Sequence, residues 1–182
     1  QQQVAVMSFF NFSPYEMKFK EGETVYLDGS HVTIDGILKG SAFSGKTSFE
    51  IKGIRYADHI IRGLKSNSSI DYQKDEITLK NLAIETGHIK SSATQVKITL
   101  LEKKTGYKVD ITDMNASIQN GEALFKQCDF YLGLHLDHDS ISGDLRFSLG
   151  NIMAQGIAFS HVSGGGTLDE KNFSVEISQA EV

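Results

Sequence analysis

The chain has 182 residues, 40% apolar and 23% charged, with a formal charge of −5. That length suits one domain with a substantial core, and the composition is globular rather than disordered. The negative charge argues against nucleic-acid binding, which needs a basic surface, and a single cysteine, Cys128, excludes an intrachain disulfide.

The opening QQQVAVMSFF lacks an initiating methionine. The chain therefore reads as a single domain over 1–182 cut from a longer protein, with any signal peptide or membrane anchor lying outside it. Val4–Phe12 is nearly continuous in apolar residues and far shorter than the about 20 needed to cross a bilayer. It reads as a strand buried on both faces or lying beneath a neighbour. Pro14, the one proline, breaks it, and Tyr15, Met17 and Phe19 then alternate. Val25 and Leu27 lead to a turn at Asp28-Gly29; Val32, Ile34 and Leu38 follow, then Phe43, Phe49 and Ile51. Scarce proline suits long ladders, because every ladder position uses its N–H. Lys18/Lys20 and Lys103/Lys104 are short, interrupted basic pairs and read as solvated lysines.

Between Ile54 and Lys65 the rhythm changes. Ile54, Ala57, Ile60, Ile61 and Leu64 recur at three- and four-residue spacing, which predicts one short amphipathic helix capping an end of the sheet or, in the sharper alternative, binding a partner.

The central stretch is DEITLKNLAIETGHIKSSATQVKITL, Asp75 to Leu100. Its apolar side chains alternate at Ile77 and Leu79, slip to Leu82 and Ile84, and settle again on Val96, Ile98 and Leu100. Alternation marks a strand with one apolar and one wet face. Each slip needs a bulge or turn to keep the apolar face on the core, and Lys80-Asn81 and Thr86-Gly87-His88 supply them. Tyr107, Val109 and Ile111 continue past a bulge at Thr112-Asp113, and Asn120-Gly121 is a strong hairpin signal. Cys128, Phe130, Leu132, Leu134 and Leu136 make the longest unbroken alternation and pair with Leu145, Phe147 and Leu149 across a turn at Asp137–Ser140. Ile157 and Phe159 follow. Gly164-Gly165-Gly166 permits a tight turn or a close backbone approach, and Phe173, Val175 and Ile177 form the last strand.

Three groups have the residue types for chemistry. His135, Asp137, His138 and Asp139, with Asp129 and His161 as candidates nearby, carry ligand types suited to zinc, iron or manganese, but at no recognised spacing. The same residues read as the wet face of a strand ending in an Asp-rich turn, solvated and metal-free. Cys128 falls on the apolar phase, which makes it a buried, inert thiol. The triple glycine lacks the following helix a phosphate site needs. No catalytic motif remains, so the expectation is a protein that is not an enzyme and uses no cofactor.

SSIDYQKDEITLKNLAIETGHIKSS, YKVDITDMNASIQNGEALF and SISGDLRFSLGN resemble the repetitive strand units of AsmA-like proteins and their TamB-like relatives, over roughly Ser68 to Asn151. The resemblance implies an elongated sheet forming a trough with an apolar interior, in the periplasm or cell envelope of a diderm bacterium. It also implies a part in moving phospholipid between membranes and in outer-membrane biogenesis. The lipopolysaccharide-transport jellyroll proteins show similar alternation.

The expected fold is therefore all-β, mainly an antiparallel meander in an elongated curved sheet or trough, with the one short helix. Ile98, Leu100, Phe130, Leu132, Leu134, Leu145 and Phe147 are expected on one apolar, lipid-facing surface. The expected function is lipid handling with phospholipid or another acyl lipid as partner. A closed β-sandwich with a structural or protein-binding role meets the same alternation.

Overall fold

A computed structural model describes residues 2–18, 24–137, 140–169 and 172–182. Among them run thirteen strands: β1 (Gln3–Phe12), β2 (Tyr15–Lys18), β3 (Thr24–Leu27), β4 (Ser30–Lys39), β5 (Ala42–Tyr56), β6 (His59–Gln73), β7 (Glu76–Glu85), β8 (Ile89–Leu100), β9 (Gly106–Ile118), β10 (Ala123–Asp137), β11 (Ser140–Ala154), β12 (Ile157–Leu168) and β13 (Phe173–Glu181). All lie in one sheet of order β1-β4-β5-β6-β7-β8-β9-β10-β11-β12-β13, with each pair antiparallel. The sheet is open, with β1 at one edge and β13 at the other.

The two strands off this path are continuations. β4 ends against β5 at Ser30–Ile51, and β3 takes over at Leu27–Ile54. Asp28 N–H donates to Gly53 O at 2.8 Å and Lys52 N–H to Gly29 O at 3.1 Å, so the ladder runs through the break. β2 extends β1 in the same way, interrupted where Pro14 has no N–H to give. The whole is a meander of long hairpins. Several of its turns use left-handed backbone: Ala57 (φ 50°), Lys74 (φ 54°), and Gln155-Gly156 (φ 51° and 78°). Such turns match the twist of the strands they join.

No α-helix occurs among the described residues, so the helix expected at Ile54–Lys65 is not there. Its residues form the end of β5, the turn at Ala57-Asp58 and the start of β6, with Ile54 opposite Ile61 and Ile51 opposite Leu64. Two strands folded back on each other across a short turn reproduce helical spacing when each also carries an irregularity. That irregularity sits at Lys52 and Gly63, where Gly63 has φ 66°. The only helical residues described are single 3-10 turns at Glu102–Lys104 and Gln119–Gly121, both in hairpin connections.

Irregularities of this kind cross the sheet as a line. Asn81 in β7, Asp113 in β9, Gln127 in β10 and His161 in β12 are all left-handed inside strands, with φ between 50° and 54°. Each rotates the chain so that apolar residues three apart face the same way: Leu79 and Leu82, Ile111 and Met114, Cys128 and Phe125, Val162 and Phe159. The bulges at Lys80-Asn81 and Thr112-Asp113 are those the slips in alternation called for. Side chains fix the crease. Thr94 Oγ1 donates to Asp113 Oδ2 at 2.9 Å, Asp113 N–H to Asp129 Oδ1 at 2.8 Å, and Gln127 N–H to Asn115 Oδ1 at 3.2 Å.

The surface area identifies a single layer. A compact protein of 20.1 kDa exposes about 8,700 Å²; this one exposes 12860 Å². A closed sandwich needs two sheets, and all the described strands lie in one. The buried apolar side chains are few, and Ile51, Ala93, Cys128 and Val162 among them each adjoin a slip, where side chains converge on one face. β1 is the clearest departure from the sequence reading. Expected to be buried on both faces or to lie beneath a neighbour, it is an edge strand of the described sheet with Met7 80% and Phe9 60% exposed, because only β4 flanks it and no described layer covers it.

Candidate functional site

Antiparallel register aligns directly paired residues on the same face. Reading across the strands, Ile77, Ile98, Val109, Leu132 and Leu145 form one row. Leu79, Val96, Ile111, Phe130 and Phe147 form the next, and Leu100, Tyr107 and Leu134 a third. The register thus places Ile98, Leu100, Phe130, Leu132, Leu134, Leu145 and Phe147 on one face. All seven are half-buried, shielded by their sheet neighbours and by no second layer. Beyond the crease the same face continues through Leu82, Met114, Phe125, Ile152 and Phe159. On β4 and β5 it continues through Val32, Leu38, Phe43 and Phe49.

Glycines let large side chains lie down on this face. A Cβ on Gly164 would meet Phe147 Cζ at 2.6 Å, and one on Gly36 would meet Phe43 Cζ at 2.7 Å. In each case the ring shares that space with the backbone of a paired strand, the Glu176 carbonyl at Gly164 and the Ser44 carbonyl at Gly36, which lie nearer still. The triple glycine is therefore strand backbone in close approach, paired with β13, and not a turn.

The opposite face is wet. Glu50, Lys65, Glu85 and Lys90 form a row of alternating charge, with His31 Nε2 3.3 Å from Glu50 at its end. Lys97 Nζ lies 3.1 Å from Glu76, and Ser44 Oγ donates to Asp71 at 2.6 Å. A wide depression of about 620 Å³ opens on this side among Lys39, Ser44, Asp71, Glu76, Lys80 and Lys97. Several of its charges are already paired, so it offers solvated side chains rather than a built polar pocket.

His135 and Asp137 lie on the wet face and are exposed. His138 and Asp139 lie outside the described residues. His161 is paired with Glu181 at 3.0 Å, and Asp129 serves the crease. Among the described residues no three metal-ligating side chains converge. Cys128 is 0% exposed on the apolar face; burial pushes its thiol pKa up, against a backbone hydrogen bond from Gly150 that lowers it and alongside Asp129 and Asp113, which raise it.

Sequence reasoning missed the crease at Gln127 and His161 and the glycines beneath Phe43 and Phe147. Three-residue apolar spacing inside long strands, as at Leu149 and Ile152, was the available signal. No helix among the described residues is long and apolar enough to cross a membrane. No protein-family model, curated protein or solved structure matches the chain.

Proposed function

We propose that this protein is a lipid-handling module that binds acyl chains on the apolar face of its open sheet, without chemical turnover. One observation carries the reading: an apolar face runs across the meander with no second layer over it. Monomeric proteins rarely leave contiguous apolar patches beyond about 300–600 Å² uncovered unless something binds there. Acyl chains fit such a face because hydrocarbon burial is non-directional and gains about 0.8 kcal/mol per methylene. The sheet would then be the wall of a trough, its wet face outward. Phospholipid in the envelope of a diderm bacterium is the partner and setting that the AsmA-like resemblance supports.

A photo-crosslinkable fatty acyl probe tests this. Crosslinks at Leu132, Leu134 or Phe147, competed away by phospholipids of differing head group, are the expected result. A folded protein that gives no crosslink above background, or crosslinks only on the wet face, overturns the proposal.

A further inference from the structure

We propose that Asn172, in the connection between β12 and β13, is an N-glycan acceptor. The transferases that make N-linked glycans read Asn-x-Ser or Asn-x-Thr, with any residue but proline in the middle. Four such tripeptides occur in the chain: Asn11-Phe12-Ser13, Asn67-Ser68-Ser69, Asn115-Ala116-Ser117 and Asn172-Phe173-Ser174. The tripeptide alone does not choose among them. The fold does.

A transferase has to wrap the acceptor backbone and reach the asparagine amide. A residue held in a sheet ladder offers neither without breaking backbone hydrogen bonds. Asn11 is paired with His31 of β4, and Pro14 directly after its serine holds Ser13 extended. Asn67 lies between Ser48 of β5 and Ala83 of β7, and Ser68 beside it is buried. Asn115 is paired with Ser92 of β8, and its side chain belongs to the crease. Its Nδ2 donates to Asp113 O at 3.2 Å, and its Oδ1 accepts from Gln127 N–H at 3.2 Å.

Asn172 differs on each count. The β12–β13 ladder closes at Leu168–Phe173, so Asn172 lies outside it, at the tip of a hairpin. Its backbone bonds stay within that connection: its N–H donates to Asp169 Oδ1 at 2.8 Å, and its carbonyl accepts from Asp169 N–H at 2.9 Å. Asn172, Phe173 and Ser174 are all exposed. Ser174, opposite Thr167, is on the wet face, so its side chain stands off the sheet plane whatever pairs with the far edge of β13. Surface connections of this kind also tolerate bulky additions.

The donor class is a polyprenyl-diphosphate oligosaccharide. Asn172 Nδ2 attacks the anomeric carbon of its first sugar. The N–C bond forms as the C–O bond to the diphosphate breaks, the diphosphate leaves with that electron pair, and a transferase carboxylate takes one amide proton. Such transfer takes place outside the cytoplasm. The proposal therefore rests on the envelope setting of the lipid-handling reading, but not on what the apolar face binds.

Incubating the folded full chain with a purified single-subunit oligosaccharyltransferase and a polyprenyl-diphosphate oligosaccharide tests the site, read by intact mass and peptide mapping. One glycan per chain, on Asn172, is the expected result. Ser174→Thr should keep it and Ser174→Ala should lose it, both with the far-UV circular dichroism of wild type. Asn172→Gln should take no glycan and should leave crosslinking to the fatty acyl probe unchanged, so this proposal and the lipid reading fail separately. Folded chain that carries no glycan on Asn172 overturns the proposal. So does transfer that reaches Asn67 or Asn115 as readily, or that persists at Asn172 in Ser174→Ala.

Discussion

Leu132→Ala separates an open apolar face from a packed core. Leu132 is half-buried between Val109 of β9 and Leu145 of β11, with no layer above it. Burying a leucine fully contributes about 1.5–3 kcal/mol, so a half-buried one contributes about 1. In a closed interior the same truncation costs about 2–5 kcal/mol, because the hole it leaves adds a cavity term. Here the hole opens to solvent and that term is absent. Urea denaturation of wild type and Leu132→Ala should therefore differ by about 1 kcal/mol, with the denaturant slope unchanged. A loss of about 3 kcal/mol or more would mean that something packs over Leu132, and would refute the single-layer reasoning.

The crease makes a second prediction against ordinary strand preference. Gln127 sits at φ 54°, so Gln127→Gly should be neutral or stabilising and Gln127→Val should cost about 1–2 kcal/mol; greater stability of the valine variant in thermal melts would contradict it. Gly164→Ala should destabilise by about 1–3 kcal/mol, because the added methyl would clash with the Glu176 backbone carbonyl of β13 and meet Phe147 Cζ at 2.6 Å; calorimetry showing no loss would mean that β13 and the ring both give way freely. Cys128, its thiol pKa raised by burial, should resist a thiol reagent at neutral pH until denaturant is added, and fast labelling of folded protein would refute its burial. The same shift favours the protonated thiol in the folded state. Its stabilising contribution is complete below the unfolded pKa and is lost as pH rises toward the folded one; alkaline unfolding curves of wild type and Cys128→Ala should diverge in that sense.

Strand existence and phase were legible because alternation is a local property. Phe130, Leu132 and Leu134 share a face for the reason their spacing implies, and Asn81 and Asp113 interrupt it where the slips required. The helix at Ile54–Lys65 was misread because a periodicity of three to four does not distinguish a helix from two strands joined at Ala57-Asp58. Layering was illegible for a different reason. The alternation at Leu145 and Phe147 is the same whether a second sheet covers them or nothing does. β1 misled similarly, since a continuous apolar run describes a buried strand and an uncovered edge alike. His138 and Asp139 stay an expectation from sequence.

Titration with a series of fatty acids and phospholipids of increasing chain length tests the acyl-binding proposal most directly. Hydrocarbon burial at up to about 0.8 kcal/mol per methylene predicts a Kd that falls by about two- to fourfold with each added methylene. Changing the head group at fixed chain length should leave it nearly unchanged. Absence of binding by folded protein, or affinity that follows the head group and ignores chain length, would contradict it.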